Sequence, residues 1–138
     1  MRKEIDVFEE VNNRFYQAFQ SLSIEKMERV WDHGDNIVCI HPGWDLFTGW
    51  LAIRESWITI FQNTSSIKFL ITNTKIRIFD DIAVVVCLEN IESTIEKQTI
   101  KLGILATNIF KKFNSEWLMN HHHGSLVTNY MSPNISSY

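Results

Sequence analysis

Two short segments of the sequence hold four of its five histidines. The first is His41-Pro42-Gly43-Trp44, and the second is a run of three histidines at 121–123. Because imidazole titrates near neutral pH, a histidine at the mouth of a cavity can act as a general base. The proline and glycine after His41 end a strand there. The sequence leaves open whether His41 serves a pocket or caps the turn, and whether Trp44 lines a cavity or covers the core.

The run of histidines lies in a segment, 117–125, whose alternating pattern predicts a strand. Alternation places His121 and His123 on one face and His122 on the other. The first face then also carries Trp117, Met119 and Ser125. Two imidazoles at this spacing, with His41 as a third, are ligand types that zinc prefers. Because no acidic partner is evident beside them, we expect a hydrogen-bonded polar patch and no bound metal.

Two isolated polar residues lie on otherwise apolar strand faces. Asn108 shares its face with Leu102, Ile104, Ala106 and Phe110, and Glu89 follows Val85 and Cys87. A buried amide needs a partner, which here is a ligand oxygen, His41 or water. The sequence has no Gly-x-Ser-x-Gly nucleophile motif and no Gly-x-Gly phosphate loop. We therefore expect neither a serine hydrolase nor a nucleotide cofactor.

The elements that position these residues follow from the spacing of apolar side chains. With 138 residues and 45% hydrophobic content, the chain fits one domain. Steps of three and four residues predict a helix over the first 20 or so residues, and Ser23 caps a short second helix. A strand follows at 37–40. A third helix then begins at Thr48-Gly49, with Trp50, Ile53, Trp57 and Ile60 on one face.

Beyond residue 67 the period changes to two and predicts four long strands. Turns near 80–81, 96–97 and 114–115 separate them. Opposite parity before and after 72–75 predicts a β-bulge, and a second change of parity is predicted after Leu88. The expected fold is α+β, a cone-shaped, curved antiparallel or mixed sheet covered by three N-terminal helices. The domain spans 1–127, and a polar tail follows at 128–138.

Charge and hydropathy exclude several classes of function. The net charge of −3 and the lack of a basic cluster argue against nucleic-acid binding. The longest apolar stretch, 82–88, is far shorter than the roughly 20 residues of a membrane span, and the N-terminus lacks the apolar core of a signal peptide. Cys39 and Cys87 lie in apolar runs, as buried free thiols do. We expect a cytoplasmic protein.

Taken together, these motifs resemble the SnoaL-like domains of the nuclear-transport-factor-2-like (NTF2-like) superfamily over about residues 5–127. The resemblance rests on His41-Pro42-Gly43-Trp44, Thr48-Gly49-x-x-x-Ile53 and Trp117-x-x-x-His121-x-His123-x-Ser125. It implies a conical fold with a deep pocket and a homodimer packed through the open sheet face. The closing motif is also similar to the association domain of calmodulin-dependent kinase, which implies an assembly role.

Ketosteroid isomerase, an enzyme of this superfamily, offers a comparison by position. The resemblance places its base at His41 and its second acid at Asn108. Its tyrosine donor falls on Phe15, with Tyr16 expected to face away. An isomerase needs both a base and a donor to the enolate oxygen, which His41 and Asn108 could supply. Because the tyrosine, the strongest donor, is replaced by Phe15, steroid isomerisation itself is not expected.

Three functions follow from these residues. The first is binding of a small, largely apolar ligand in a pocket that is rich in aromatic side chains. The alternative is an isomerase, cyclase or hydratase that uses His41 as general base and Asn108 as donor, so the sequence leaves open whether the protein is an enzyme. The second alternative is an oligomerisation domain. No cofactor is expected. The predicted pocket residues are Phe15, Trp44, Trp57, Glu89, His121 and His123.

Overall fold

The computed structural model describes residues 3–133, which form three helices and one six-stranded sheet. The helices are α1 (Glu4–Ser21), α2 (Ile24–Val30) and α3 (Trp50–Gln62). The strands are β1 (Val38–Ile40), β2 (Leu46–Thr48), β3 (Ser66–Phe79), β4 (Ile82–Ile95), β5 (Gln98–Phe113) and β6 (Glu116–Leu126). Within the described residues, no helix is long and apolar enough to cross a membrane.

The sheet is mixed, with strand order β2-β1-β6-β5-β4-β3. Strand β1 pairs in parallel with β6, and the other neighbours are antiparallel. The predicted α+β architecture, with helices packed on a curved sheet, is confirmed. The prediction missed β2, which pairs with β1 from Leu46 to Thr48. Three residues are too few to show an alternating pattern, so periodicity could not indicate this strand.

Helices α2 and α3 begin where the sequence predicted. The Ser23 hydroxyl accepts a hydrogen bond from the amide of Lys26 at the start of α2. Gly49 precedes α3 with a φ of 84°, a conformation that favours glycine. Helix α1 buries a stripe of residues against the concave face of the sheet, and the stripe includes Phe8, Asn12, Phe15, Tyr16 and Phe19. The concave face and these helices enclose the core.

The bulge predicted in β3 is confirmed, because the pairing of β3 with β4 shifts between Thr72 and Lys75. The parity change predicted after Leu88 is wrong. Alternate residues of β4 from Ala83 to Ser93 all point inward and are buried, so the strand keeps one face throughout. Because inward and outward side chains alternate without interruption along β4, Glu89 lies on the concave face.

A second bulge, which was not predicted, lies in β6. Ile109 pairs with His121 and Phe110 pairs with Met119, so Asn120 is an extra residue in β6. The extra residue reverses the alternation after it. Met119 and His122 are consequently both buried, and the predicted placement of His121 and His123 on the face of Met119 is wrong.

The segment after β6 lies on the outer face of the sheet. The Tyr130 ring packs over Gly103, where a side chain would collide with it. The Tyr130 hydroxyl donates to Oδ1 of Asn90 at 2.5 Å. Of the predicted polar tail at 128–138, residues 134–138 lie outside the described part of the chain. Tyr130 thus ties the described part of this segment to β4 and β5.

Candidate functional site

A cavity of about 470 Å³ lies between α3 and the concave face of the sheet. Its apolar wall includes Ile67, Ile91, Leu102, Ile104 and Leu126. Its polar groups include His41, Glu89, Ser93 and His122, and His41 to Trp44 lie along the lining next to the end of β1. A volume of this size and a mostly apolar wall are typical of small-molecule sites.

A second depression, of about 840 Å³, lies between α1 and α2 and is lined by exposed charged residues such as Lys26 and Arg29. It is larger but open to solvent. Its described lining has no buried titratable group of the kind found beside the first cavity, so the first cavity is the candidate functional site.

Glu89 is the buried carboxyl group of this cavity. It is 2% exposed, and the Tyr16 hydroxyl donates to its Oε2 at 2.5 Å. The same hydroxyl lies 3.4 Å from the sulfur of Cys87. Burial disfavours the charged carboxylate and raises the pKa of Glu89 from 4.5 to about 7, against the opposing effect of the Tyr16 hydrogen bond. Glu89 can therefore hold or release a proton near neutral pH.

Asn108 and Asn12 extend this contact into a buried network. The Asn108 amide donates to Oδ1 of Asn12 at 2.9 Å and to the Tyr16 oxygen at 3.0 Å. Oδ1 of Asn108 lies 2.6 Å from Nδ1 of His122. Four side chains from α1, β4, β5 and β6 are thus linked in one path from His122 to Glu89. Both ends of the path line the cavity.

His41 occupies a separate position at the end of β1. Its Nε2 lies 2.9 Å from the hydroxyl of Ser56, and its ring packs edge-on against Trp57 at 4.7 Å. Burial lowers the pKa of His41 to about 4. Burial, with His41 and the adjacent histidines, also holds the pKa of His122 well below its usual value. Both imidazoles are therefore neutral at pH 7.

The predicted site residues separate into three groups. His41, Trp44 and Glu89 line the cavity. Asn108 lies beneath it and is hydrogen-bonded to His122, while Phe15 and Trp57 are fully buried behind the wall. His121 and His123 lie on the opposite, outer face. Within residues 3–133, no cluster of three His, Cys, Asp or Glu side chains could hold a metal ion.

Sequence reasoning missed two members of the network, Tyr16 and His122. Tyr16 was expected to face away, but it is buried and contacts both Glu89 and Asn108. A signal for it was available, since Phe8, Asn12 and Tyr16 are spaced by four residues along one helix face. His122 gave no comparable signal because the bulge at Asn120 decides its face.

The profile of the SnoaL-like domain matches residues 8–129. The chain belongs to the SnoaL-like domain family. The resemblance predicted from its sequence motifs is thereby confirmed, and solved NTF2-like proteins share the fold of this SnoaL-like domain.

Similar proteins of known sequence or structure come from plants and bacteria. The F-box protein SKIP8 of Arabidopsis thaliana is 29% identical over 119 residues, which are 85% of this SnoaL-like chain and 48% of that protein. The chain thus spans about half the length of this curated relative.

Two bacterial structures have similar chains. A proposed dehydratase of the NTF2-like family from Streptomyces avermitilis superposes with a TM-score of 0.82 and 26% identity, covering 90% of this chain and 96% of that one. A proposed calcium/calmodulin-dependent protein kinase type II association domain from Thiobacillus denitrificans has a TM-score of 0.78 and 25% identity, with coverage of 87% and 94%.

Replacement of the buried carboxyl group should reveal what its burial costs. Because the folded state holds the Glu89 proton more tightly than the unfolded state, its contribution to stability falls as pH rises from 4.5 to about 7. Glu89→Gln changes the free energy of unfolding, and this change should be about 2–3 kcal/mol more stabilising at pH 8 than at pH 4. Urea denaturation at the two pH values measures this difference, with the exposed Glu9→Gln as control. An effect of Glu89→Gln that does not change with pH would contradict the assignment.

Proposed function

We propose that this SnoaL-like domain binds a small, largely apolar molecule in the cavity, with one polar group of that molecule beside Glu89 and His122. The observation that carries the proposal is an apolar cavity of about 470 Å³ in which a buried carboxyl and a buried imidazole are joined by a hydrogen-bonded path. A few placed polar groups in an apolar wall give a ligand its orientation.

The cost of the polar groups supports a binding role over a purely structural one. A buried carboxyl destabilises the fold unless its partners compensate. The raised pKa of Glu89 indicates that the Tyr16 hydrogen bond compensates only in part. Groups held at such a cost are concentrated at functional sites. A ligand that contacts Glu89 would offset this cost.

Filling the cavity should weaken binding without disturbing the fold. Leu102 lines the cavity and is partly buried, whereas Leu105 lies on the outer face of the same strand. Leu102→Trp should weaken binding of the neutral fluorescent probe N-phenyl-1-naphthylamine by about tenfold, because the indole ring fills the part of the cavity that the probe would occupy. Leu105→Trp should bind the probe as the wild type does. Failure of the wild type to bind any neutral apolar probe, or equal binding by both variants, would overturn the proposal.

An acid–base enzyme is the second candidate, and the pKa of Glu89 near 7 favours it. The similar protein from Streptomyces avermitilis is a proposed dehydratase. In this candidate function, an isomerase, cyclase or hydratase would use Glu89 or His41 as the general base. Asn108 would position His122 through its hydrogen bond.

The pH profile of turnover would separate the two bases. With a substrate identified by screening β-hydroxy ketones, a Glu89 base predicts a rate that rises through pH 7, and Glu89→Gln removes the rise. A His41 base predicts an inflection near pH 4 instead. Unchanged turnover in both Glu89→Gln and His41→Gln would exclude both residues as the base.

A homodimer through the open sheet face is proposed as the assembly of this domain. The outer face of β4 and β5 is apolar and carries Val84, Val86, Leu88, Leu105 and Ile109, and Leu105 is 50% exposed. An exposed apolar face of this kind is typical of an interface.

Light scattering after size-exclusion chromatography tests the dimer. We expect the wild type to elute as a dimer and Leu105→Glu as a monomer, since a charge there would be buried without a partner. Leu51→Glu, on exposed α3, should remain dimeric. A monomeric wild type would contradict the proposal, and a larger ring would favour the assembly alternative that the kinase association domain suggests.

The remaining proposals concern location and partners. Cys39 and Cys87 are both free and buried, as expected of a protein in a reducing compartment. Together with the net charge of −3, they support a cytoplasmic location and the absence of a nucleic-acid partner.

A further inference from the structure

The positions of the protons around the cavity follow from the direction of the buried hydrogen bonds. The Tyr16 hydroxyl has one proton, which it donates to Glu89. Its oxygen must therefore accept the hydrogen bond from the Asn108 amide. With its NH₂ group turned toward Tyr16 and Asn12, Asn108 presents its carbonyl oxygen to His122.

His122 is consequently protonated on Nδ1. A carbonyl oxygen only accepts, so the 2.6 Å contact requires that Nδ1 carry the hydrogen. Because the ring is neutral at pH 7, Nε2 has no hydrogen and is an acceptor. Within residues 3–133, the structure gives Nε2 no hydrogen-bond partner. The nitrogen that His122 can offer to a ligand therefore accepts and does not donate.

The same reasoning applies to His41 at the rim. The Ser56 hydroxyl donates its one proton to the carbonyl oxygen of Ile53 at 2.6 Å. The 2.9 Å contact between Ser56 and His41 therefore requires a hydrogen on Nε2 of His41. Nδ1 of the neutral ring is left as the acceptor. Both imidazoles of the cavity thus have an acceptor nitrogen and no free donor.

The charges of the lining residues also favour a ligand that donates hydrogen bonds. Among the described lining residues there is no lysine or arginine, and Glu89 is the acidic one. An anionic ligand would lose its hydration without meeting a cation, which is costly in an apolar cavity. An ammonium group would pair with the Glu89 carboxylate and donate to Nε2 of His122. Its charge would be compensated by the fixed groups of the site.

We propose that the cavity selects apolar amines, which bind as ammonium ions between the Glu89 carboxylate and Nε2 of His122. Molecules of the same shape whose polar group only accepts hydrogen bonds, or is anionic, bind more weakly. This inference rests on the proposed ligand-binding function and specifies the chemical class of the ligand. The hydrocarbon part of the amine lies against the apolar wall formed by residues such as Ile91, Leu102 and Ile104.

The dependence of affinity on pH distinguishes an amine from a carbonyl ligand. The titratable groups near Glu89 are Tyr16 from α1, Cys87 from its own strand, His122 from β6 and His41 beyond β1. Burial raises the pKa of Tyr16 and lowers those of the two histidines, so none of these groups changes charge between pH 6 and 8. Burial also raises the pKa of Cys87, to about 11. Glu89 alone of these five titrates in that interval.

The sign of the effect follows from the form of Glu89 that each ligand requires. An ammonium ion binds the ionised carboxylate, whose fraction rises from about one tenth to about nine tenths between pH 6 and 8. Amine affinity should therefore rise roughly tenfold over this interval. A ketone accepts a hydrogen bond from the protonated acid, so its affinity should fall over the same interval.

Four ligands with one naphthalene body provide the test: 2-naphthylmethylamine, 2-naphthylmethanol, 2-acetylnaphthalene and 2-naphthoate. Affinities are measured by isothermal titration calorimetry at pH 6, 7 and 8. At pH 8 we expect the affinity for the amine to be about tenfold higher than the affinities for the ketone and the carboxylate. Glu89→Gln should remove both this preference and the rise with pH. Glu9→Gln, which changes an exposed carboxyl on α1, should bind like the wild type.

The outcomes separate this inference from the proposed function. If the ketone or the carboxylate binds tightest, or if amine affinity falls from pH 6 to 8, the amine inference is overturned while ligand binding stands. The same holds if Glu89→Gln keeps the amine preference. If none of the four ligands binds, the proposed function and the inference are overturned together. Tightest binding by the amine, rising with pH and lost in Glu89→Gln, supports both.

Discussion

The hydrogen bond from the Tyr16 hydroxyl to the Glu89 carboxyl is the interaction on which the site depends. It holds an acidic group on the concave face of the sheet, away from solvent, where a single 2.5 Å contact replaces the hydration of the group. Because that replacement is incomplete, the pKa of Glu89 moves to about 7. The direction of this bond also fixes the orientation of Asn108, and Asn108 in turn fixes the tautomer of His122. The Tyr16 proton thus determines which atoms of Asn108 and His122 donate and which accept.

The fold supplies this interaction by bringing four distant segments together. Helix α1 crosses the concave face with Asn12 and Tyr16 turned inward, and β4, β5 and β6 contribute Glu89, Asn108 and His122. Aromatic rings pack around the network. Phe15 lies 4.9 Å from the His122 ring, and Tyr16 lies 5.2 Å from Phe69. Such packing restricts the side chains to one arrangement and keeps the dielectric constant low, which strengthens each hydrogen bond and raises the cost of an unpaired group.

Much of this arrangement could be predicted from the sequence because strand periodicity decides it. The parity of β4 and β5 identified Glu89 and Asn108 as polar residues on a buried face, and the helix pattern identified three covering helices. His122 could not be predicted, since a single extra residue at Asn120 reverses the face of the strand and leaves no mark on the alternation of apolar residues. Tyr16 was missed for a different reason. The comparison with ketosteroid isomerase places the tyrosine donor at Phe15, whereas steps of four residues from the apolar Phe8 through Asn12 to Tyr16 indicate an inward face.

The central claim is that Glu89 remains a buried acid whose proton is exchangeable near neutral pH. The most direct measurement is a titration of its side-chain carboxyl by carbon-13 NMR on the full chain, with Glu89→Gln used to assign the resonance. The structure predicts a midpoint near 7. A midpoint near 4.5, the ordinary value for a solvated glutamate, would contradict the buried network and the functions that are built on it.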